Sequence, residues 1–324
     1  SRQPEWAHQN RRGSGGQAPA LRHIGGLWLR RGHCALGKPD ANVHALAYLF
    51  DFDGREREYV DYEYVILEKR NDVGWITINR PAKLNTINRK TGDEILDALH
   101  QCEYDPEVRA IVLRGAGRSF CAGDEIGRPT DEREEREKSA DRVEHYAFGP
   151  GRWTTIIYKM RHIAKPIIAM VQGHAYGAGF NLAMGCDFRI AADNALFCTP
   201  FVKRGMGTGS NLLQQYIGIG RALEMALLGE PIDALEALRL GLATRVVPLD
   251  QLEASTADFA GKLAQGPTAV IGMSKLAIYR GWDVRPDEAY VYQGVAQEMS
   301  RQTADREEGI LAFREKRPPR FTGR

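Results

Sequence analysis

Two glycine-bearing turns carry residue types that could stabilise a negative charge. The first turn is FCAGDEI at 120–126, and the second is GHAYGAGFNL at 173–182. Small residues let the backbone approach a ligand closely, and a helix that begins at such a turn presents N–H groups to negative charge. Two N–H groups that converge on one oxygen would form an oxyanion hole, worth roughly 3 kcal/mol per donor for a developing enolate. Either turn alone could be only a tight strand-to-helix connection, so the chemistry depends on the pair.

Strand and helix patterns alternate around these two turns. The strand segments are apolar or alternate with a period of two, and the helical segments are amphipathic. The predicted order is strand 64–70, strand 75–80, helix 91–105, strand 109–117, helix 152–164 and strand 165–173. Strands that alternate with crossing helices predict an α/β fold. From Leu252 onward the chain is mostly helical, which predicts a packing or oligomerisation layer.

Local signals predict where some of these elements begin and end. Asn71 and Asp72 predict a turn between the first two strands. Thr91 is followed three residues later by Glu94, a capping-box pattern that predicts a helix opening at Thr91. The segment 129–146 is densely charged and predicts either a solvated helix or a mobile lid.

Composition bounds the class of protein. The hydrophobic fraction of 43%, the charged fraction of 27% and the net charge of +2 are those of an ordinary globular protein. No stretch approaches the ~18 apolar residues of a spanning helix, and no membrane partner is expected. The five cysteines are scattered and odd in number, which argues against a disulfide framework or a zinc site and favours a reducing compartment. No metal and no separate cofactor are expected.

The first 60 residues differ from the rest. Up to Asp40 there are seven Arg and Lys against two acids, together with a Gly-Ser-Gly-Gly stretch. Such a segment could be a mitochondrial transit peptide, a disordered arm or a start-site artefact. We therefore expect a flexible basic extension at 1–60, a core at 61–250 and a helical region at 251–324. The expected location is the cytoplasm, or the mitochondrial matrix if the segment is a transit peptide.

Five motifs in order resemble the crotonase (enoyl-CoA hydratase/isomerase) superfamily. They lie at 78–88, 118–127, 165–197, 229–248 and 311–324, so that the resemblance runs from about Tyr62 to Arg324. It implies a spiral of ββα units, a helical C-terminal trimerisation region, and a homotrimer or dimer of trimers. The implied substrate is an acyl-CoA thioester, with coenzyme A as part of the substrate.

The resemblance also implies roles for single residues. The two backbone donors to the thioester oxygen fall on Asp124 and on Ala178, the middle residue of Gly-Ala-Gly, where the family usually has glycine. Coenzyme A recognition falls on Lys83, Leu84, Thr86, Ala122 and Lys275. A solvated helix position is an equally good interpretation of Lys275.

Hydratases of this family use two glutamates, and this chain has neither. The first glutamate position is Asn181 and the second is Phe201. An asparagine amide can orient water but cannot act as a base near neutral pH, and phenylalanine can do neither. Loss of a general acid/base typically costs 10²–10⁴-fold in rate, so that standard hydration is not expected.

Several other side chains could substitute as acid or base. The candidates are the side chains of Asp124, Glu125, His174, Tyr176, Glu144 and His145, whereas Lys203 and Arg204 could bind a substrate carboxylate or the coenzyme A phosphates. Most of them have a plain structural alternative. It is charge complementarity at a helix N-terminus for the two acids of the first turn, a hydrogen-bonded turn residue for His174, packing for Tyr176, and surface exposure for Lys203 and Arg204.

Three function classes remain open on the sequence. The first is an acyl-CoA enzyme with a variant lyase, isomerase, decarboxylase or hydrolase reaction, in which Phe201 suits a bulky or aromatic acyl group. The second is a catalytically silent acyl-CoA-binding scaffold. The third is RNA binding, which is disfavoured because the net charge is small and the basic segment up to Asp40 has no aromatics beyond Trp6 and Trp28.

Overall fold

The chain divides into two compact units, Ser1–Val60 and Asp61–Arg324. The computed structural model describes residues 22–24, 27–29, 61–125, 153–207, 213–282 and 284–324. In the first unit, β1 (Arg22–Ile24) pairs antiparallel with β2 (Leu27–Leu29). Both candidate turns belong to the second unit.

The strands of the second unit form two sheets. The described strands are β3 (Val65–Arg70), β4 (Val73–Ile78), β5 (Ala110–Gly115), β6 (Ile167–Val171), β7 (His174–Tyr176), β8 (Phe188–Ala192), β9 (Leu196–Cys198), β10 (Ile232–Asp233) and β11 (Arg245–Val247). The main sheet has the order β11-β8-β6-β5-β4-β3, and all its pairs are parallel except β3 with β4. Asn71 and Asp72 have φ of 51° and 61°, so the predicted hairpin turn is confirmed and has the left-handed backbone of a tight two-residue connection.

Helices connect and cover these strands. They are α1 (Arg89–Tyr104), α2 (Trp153–His162), α3 (Ala178–Gly185), α4 (Leu213–Ile217), α5 (Ile219–Leu228), α6 (Ala234–Arg239), α7 (Leu252–Ala264), α8 (Thr268–Gly281), α9 (Pro286–Ser300) and α10 (Ala304–Glu315). Short 3₁₀ turns occur at Pro81–Lys83, Val202–Arg204 and Leu249–Gln251. The predicted α/β fold class is therefore confirmed.

The prediction of a capping box at Thr91 is wrong. Helix α1 begins at Arg89, and the Asn88 side chain caps it by accepting from the Thr91 N–H at 2.8 Å. The Glu94 carboxylate instead accepts from the N–H groups of Glu63 and Tyr64, at 3.1 and 2.8 Å. Asparagine and threonine are both good caps, and a tertiary contact of Glu94 decided between them.

The main sheet is buried on both faces. Alternate residues of β4 face opposite sides: Trp75 belongs to one apolar cluster, which includes Leu252 and Ala260 of α7, and Ile76 belongs to the other. The second cluster also holds buried side chains of α1, α2 and α3. Parallel strands that are covered on both faces explain the nearly continuous apolar runs in the sequence.

A smaller sheet brings the two candidate turns together. Its order is β10-β9-β7, with β7 parallel to β9 and β9 antiparallel to β10. Two isolated parallel bridges extend this layer, one between Cys121 and Ala175 and one between Ile87 and Asp124. The first turn is therefore linked to the second turn on one side and to the segment before α1 on the other.

In the ranges that the structure describes, no helix combines the length and the hydropathy needed to cross a membrane. No group of three or more His, Cys, Asp or Glu side chains is arranged to hold a metal ion in those same ranges.

Candidate active site

The two glycine-bearing turns lie in direct contact. The Cys121 N–H donates to His174 O at 2.8 Å, and the Tyr176 N–H donates to Cys121 O at 3.0 Å. Gly123 has φ of 105°, and a Cβ at this position would lie 3.0 Å from Tyr176 O and 3.7 Å from Ala178 N. Only glycine fits this close approach, which brings the first turn to the amide of Ala178.

Helix geometry orients the amide of the second turn. Helix α3 begins at Ala178, and the Asn181 N–H makes the first helical bond, to Gly177 O at 3.0 Å. The N–H groups of a first helical turn point out along the axis rather than to an intrahelical carbonyl. The amide of Ala178 is therefore directed out of the helix at the place where Gly123 approaches it.

Strand geometry orients the amide of the first turn. The Ile87 N–H donates to Gly123 O, and the Glu125 N–H donates to Ile87 O, both at 2.9 Å. Extended backbone alternates the direction of successive peptide groups, so the Asp124 N–H points away from Ile87. This arrangement agrees with the role that the family resemblance implies for Asp124 and Ala178.

The two glutamate positions of the resemblance also lie at the second turn. Phe201 is buried, with 6% of its surface exposed, and its Cζ lies 3.8 Å from where Gly177 would carry a Cβ. Asn181 is 5% exposed and lies three residues after Ala178, on the same face of α3. An amide and an aromatic ring thus stand at the two positions where the family resemblance implies carboxylates.

Glu125 is held by two basic side chains. Its Oε2 lies 2.7 Å from Arg80 Nη2, and its Oε1 pairs with the Lys83 ammonium. The hydrogen bond from Lys83, together with that from Arg80, lowers the pKa of the Glu125 carboxyl below its ordinary value. A carboxylate in two ion pairs is a poor proton donor and a weak base, which disfavours the acid/base role considered for Glu125.

His174 is held by a buried serine. Its Nδ1 lies 2.9 Å from Ser119 Oγ, and its ring meets the edge of Tyr176 with centroids 5.0 Å apart. Burial raises the pKa of the Tyr176 hydroxyl. These contacts favour the structural interpretation of His174 as a hydrogen-bonded residue of the turn.

Four of the predicted coenzyme A residues lie together beside the first turn. The Ala122 N–H donates to Leu84 O at 3.0 Å, and the Thr86 N–H donates to Lys83 O at 3.1 Å. Lys83 ends the 3₁₀ turn Pro81–Lys83 and has an exposed side chain. The loop 80–87 and the first turn thus form one surface.

Sequence reasoning missed Arg80 and Asn85, which organise this loop. Asn85 has φ of 56°, accepts from the Arg80 N–H at 2.9 Å, and donates to the carbonyls of Ala116 and Ser119 at 2.8 and 2.7 Å. Asparagine is one of the few residues that tolerates this left-handed backbone. The Leu-Asn pair after a 3₁₀-like Pro-Ala-Lys was the available signal.

The interpretation of Lys275 as a solvated residue is wrong, and its burial in an ion pair disfavours the predicted contact with coenzyme A. Its Nζ lies 2.9 Å from an Asp187 carboxylate oxygen and donates to the carbonyls of Met160 and Lys165 at 2.9 and 3.0 Å. Burial lowers the pKa of this ammonium group. Lys275 therefore joins α8 to the core.

The remaining substitute candidates lie on the surface or cannot be placed. Lys203 pairs with Glu230 at 2.6 Å, and both side chains are exposed, as is Arg204. Glu144 and His145 lie outside the described residues. No described substitute candidate outside the first turn presents a buried carboxylate to Ala178.

Known proteins share this fold and these motifs. The profile of the enoyl-CoA hydratase/isomerase family matches residues 68–324. A Mycobacterium tuberculosis protein named "Probable enoyl-CoA hydratase echA8" is 36% identical over 267 residues, which cover 81% of this chain and 99% of that protein. The 1,2-epoxyphenylacetyl-CoA isomerase of Escherichia coli K12 is 33% identical over 269 residues, with coverage of 81% and 99%.

A solved structure is similar over the same region. The enoyl-CoA hydratase from Bacillus anthracis has a TM-score of 0.73 and 30% identity, and the match covers 81% of this chain and 100% of that one. The fold and the paired turns define the crotonase class of proteins. Within that class, the chain belongs to the enoyl-CoA hydratase/isomerase family.

Proposed function

We propose that this chain is an acyl-CoA enzyme that stabilises a thioester enolate by the backbone N–H groups of Asp124 and Ala178. The observation that carries the proposal is the contact between the two turns, with Gly123 packed against the Ala178 amide. Preorganised donors in a site sheltered from water typically provide the largest single contribution to such catalysis.

The proposed reaction is not the two-carboxylate hydration. Asn181 and Phe201 provide no general acid or base, and Glu125 is engaged with Arg80 and Lys83. What such a site can still do is accept charge on the thioester oxygen. Loss of CO₂ from a malonyl-type thioester needs little more, because the electrons of the broken C–C bond pass directly into the enolate, whose α-carbon then takes a proton from water. Double-bond isomerisation needs a base in addition.

We further propose that the acyl group is aryl or otherwise bulky. The Phe201 ring lies beside Gly177 and lines the turn with apolar surface. A buried aromatic side chain offers stacking and edge contacts to another ring. The relative named 1,2-epoxyphenylacetyl-CoA isomerase carries an aryl acyl group in its name, which supports the same choice here.

A turnover screen tests the proposal. The purified chain is incubated with enoyl, 3-hydroxy, 3-oxo, malonyl-type and aryl CoA thioesters, and the products are identified by mass spectrometry. Loss of 44 Da would identify decarboxylation, and gain of 18 Da would identify hydration. An isomer would have the mass of the substrate and a different chromatographic retention time. We expect turnover of an aryl or malonyl-type thioester and hydration of crotonyl-CoA at least about 10²-fold below a two-glutamate enzyme.

The Asn181→Glu/Phe201→Glu double variant serves as the comparison. It restores both carboxylates, so crotonyl-CoA hydration should rise if the oxyanion hole is intact. Burial of two acids lowers stability, and the melting temperature of the variant must therefore be measured alongside. Tight binding without turnover in the wild type would favour the second candidate, a silent acyl-CoA-binding protein. The absence of carboxylates at positions 181 and 201 also favours this candidate. Absence of thioester binding would overturn both.

A further inference from the structure

Arg80 is almost completely enclosed beside the first turn. Only 7% of its side chain is exposed. Its Nη2 pairs with Glu125 Oε2 at 2.7 Å, its Nη1 donates to Thr86 O at 2.6 Å, and its guanidinium carbon lies 4.6 Å from the centre of the Tyr64 ring. Among the described residues, Glu125 is the carboxylate that pairs with this enclosed guanidinium, and removal of a carboxylate from a buried pair leaves the charge of its partner uncompensated.

The loop that Arg80 organises is the one that holds the first turn. Three backbone hydrogen bonds join the loop 80–87 to the segment 122–125, and two of them involve Ile87, on either side of Asp124. The loop itself contains two consecutive left-handed residues, Leu84 and Asn85, with φ of 50° and 56°. Left-handed backbone at leucine is unfavourable, so the loop keeps this shape only while its surroundings hold it.

Glu125 closes the connection between loop and turn. It follows Asp124 directly, so a movement of its backbone is transmitted to the Asp124 amide through one peptide bond. Its two carboxylate oxygens reach different residues of the loop, Arg80 and Lys83. The loop also carries Lys83, Leu84 and Thr86, the residues that the family resemblance associates with coenzyme A. One carboxylate therefore ties the proposed nucleotide-binding loop to the proposed oxyanion donor.

We infer that Glu125 is a positioning residue, which holds the Asp124 N–H in line with the thioester oxygen through its ion pair with buried Arg80. The inference rests on the proposed function. It assigns Glu125 no proton transfer and no contact with substrate. It differs from a purely structural role because it predicts an effect on the polarisation of the bound carbonyl at unchanged fold.

Three variants distinguish the effects of the Glu125 charge, of the Glu125 side-chain length and of general stability. Glu125→Gln keeps the shape and removes the charge, and Glu125→Asp keeps the charge but shortens the reach by one methylene. The matched control is Glu308→Gln, because Glu308 also pairs with an arginine, Arg317, and has a side-chain exposure of 21% against 22% for Glu125. Glu308 lies on α10, outside the candidate site.

Infrared difference spectroscopy supplies the readout. The probe is cinnamoyl-CoA with ¹³C at the thioester carbonyl, whose stretching band moves to lower wavenumber when backbone donors polarise it. We expect the wild type and Glu308→Gln to give the full shift, Glu125→Asp most of it, and Glu125→Gln less than half of it. For a thioester that the wild type turns over, Glu125→Gln should lower kcat about tenfold with KM changed less than threefold, since loss of a whole donor costs about 10²–10³-fold.

The outcomes distinguish the inference from the proposed function. A full band shift in bound Glu125→Gln would overturn the inference and leave the proposed function standing. Equal loss of the shift in Glu308→Gln would also overturn it, because the effect would then be one of general stability. If cinnamoyl-CoA bound to the wild type shows no shift, the proposed function is wrong and the inference fails with it.

Discussion

At Gly179, the absence of a methyl group decides whether the two turns can touch. A Cβ there would lie 2.2 Å from Cys121 O and 2.8 Å from Cys121 C. The obstructing atoms belong to the backbone, which cannot move aside as the end of a flexible side chain can. We expect Gly179→Ala to lower the free energy of unfolding by about 1–3 kcal/mol and to abolish thioester binding. Urea denaturation and calorimetric titration with an acyl-CoA measure the two effects.

A second helical glycine provides the control for Gly179. Gly261 lies inside α7, and a Cβ there would meet nothing within 4 Å. Alanine is preferred over glycine in a helix interior by about 1 kcal/mol, so Gly261→Ala should be neutral or stabilising. If Gly261→Ala loses as much stability as Gly179→Ala, the clash with Cys121 is not the cause of the loss, because helix propensity favours alanine at both positions.

The described cysteines are expected to be unreactive in the native protein. Burial raises the pKa of Cys102 and Cys121 to about 12 and that of Cys198 to about 11, and it also raises the pKa of Cys186. Because the thiolate is the nucleophile, native protein at pH 8 should resist alkylation at these four positions. Peptide mass spectrometry after iodoacetamide, with and without urea, checks this. Rapid alkylation of native Cys121 would contradict the burial of the first turn.

At the scale of elements, α8 is attached to the core through a buried ion pair. Lys275 reaches Asp187, which also accepts from the Ile167 N–H at 2.7 Å and from the Tyr279 hydroxyl at 2.9 Å. Lys275→Ala would leave the Asp187 carboxylate without its cation. We expect a loss of about 3 kcal/mol in unfolding free energy, measured in urea.

An exposed lysine on the neighbouring helix provides the comparison. Lys262 pairs with Asp258 at 2.6 Å, but the two side chains are 67% and 56% exposed. Lys262→Ala should therefore cost at most about 0.5 kcal/mol of unfolding free energy.

At a temperature where Lys275→Ala is still folded, its affinity for coenzyme A should equal that of the wild type. A selective loss of affinity would support the contact of Lys275 with coenzyme A that its burial disfavours.

The attachment of the C-terminal segment to α10 should depend on pH. Arg317 forms two hydrogen bonds with Glu308, and the Arg320 N–H donates a third, and these contacts lower the Glu308 pKa to about 2. A lowered pKa in the folded state gives stability that is complete above the unfolded pKa of about 4.5 and is lost as the pH falls toward 2. The melting temperature of the wild type should exceed that of Glu308→Gln at pH 6, and the difference should shrink below pH 4.5. A constant difference would exclude this linkage.

At the scale of the whole molecule, apolar side chains lie exposed along the C-terminal helices. On α9, Val291, Val295 and Met299 follow at intervals of four residues and share one exposed face. We expect a homotrimer or a dimer of trimers, with three or six times the chain mass of 36.2 kDa. Light scattering after size exclusion measures the mass, and Val295→Glu should lower it if this face is part of the contact. A monomer at all concentrations would contradict the expectation.

Much of the fold could be predicted because strong periodicity and ordered motifs agree with each other. The alternating strands, the Asn71-Asp72 turn and the family are all confirmed. The capping of α1 could not be predicted, since Asn88 and Thr91 are both suitable caps and the choice depends on a distant contact of Glu94. The burial of Lys275 depends on Asp187 and on carbonyls more than 100 residues away.

The backbone turns of the candidate site could be predicted from the sequence, but the contacts of its side chains could be predicted less well. Glycine spacing marks the turns because only glycine allows the close approach at Gly123 and Gly179. The Arg80–Glu125 pair spans 45 residues and leaves no local pattern in the sequence. A carboxylate engaged in this pair is a weak base, and this is visible only in the folded chain.

The mutual fit of the two turns has a consequence for engineering and for divergence. Gly123 packs on Tyr176 O and Gly179 packs on Cys121 O, so the backbone shape of each turn depends on that of the other. Substitutions in the two turns should therefore be strongly non-additive, and a change that is tolerated in one turn will depend on what occupies the other. A library meant to give this scaffold a new acyl specificity should vary the side chains at 181 and 201 and keep Gly123, Gly179 and the backbone atoms that they contact unchanged.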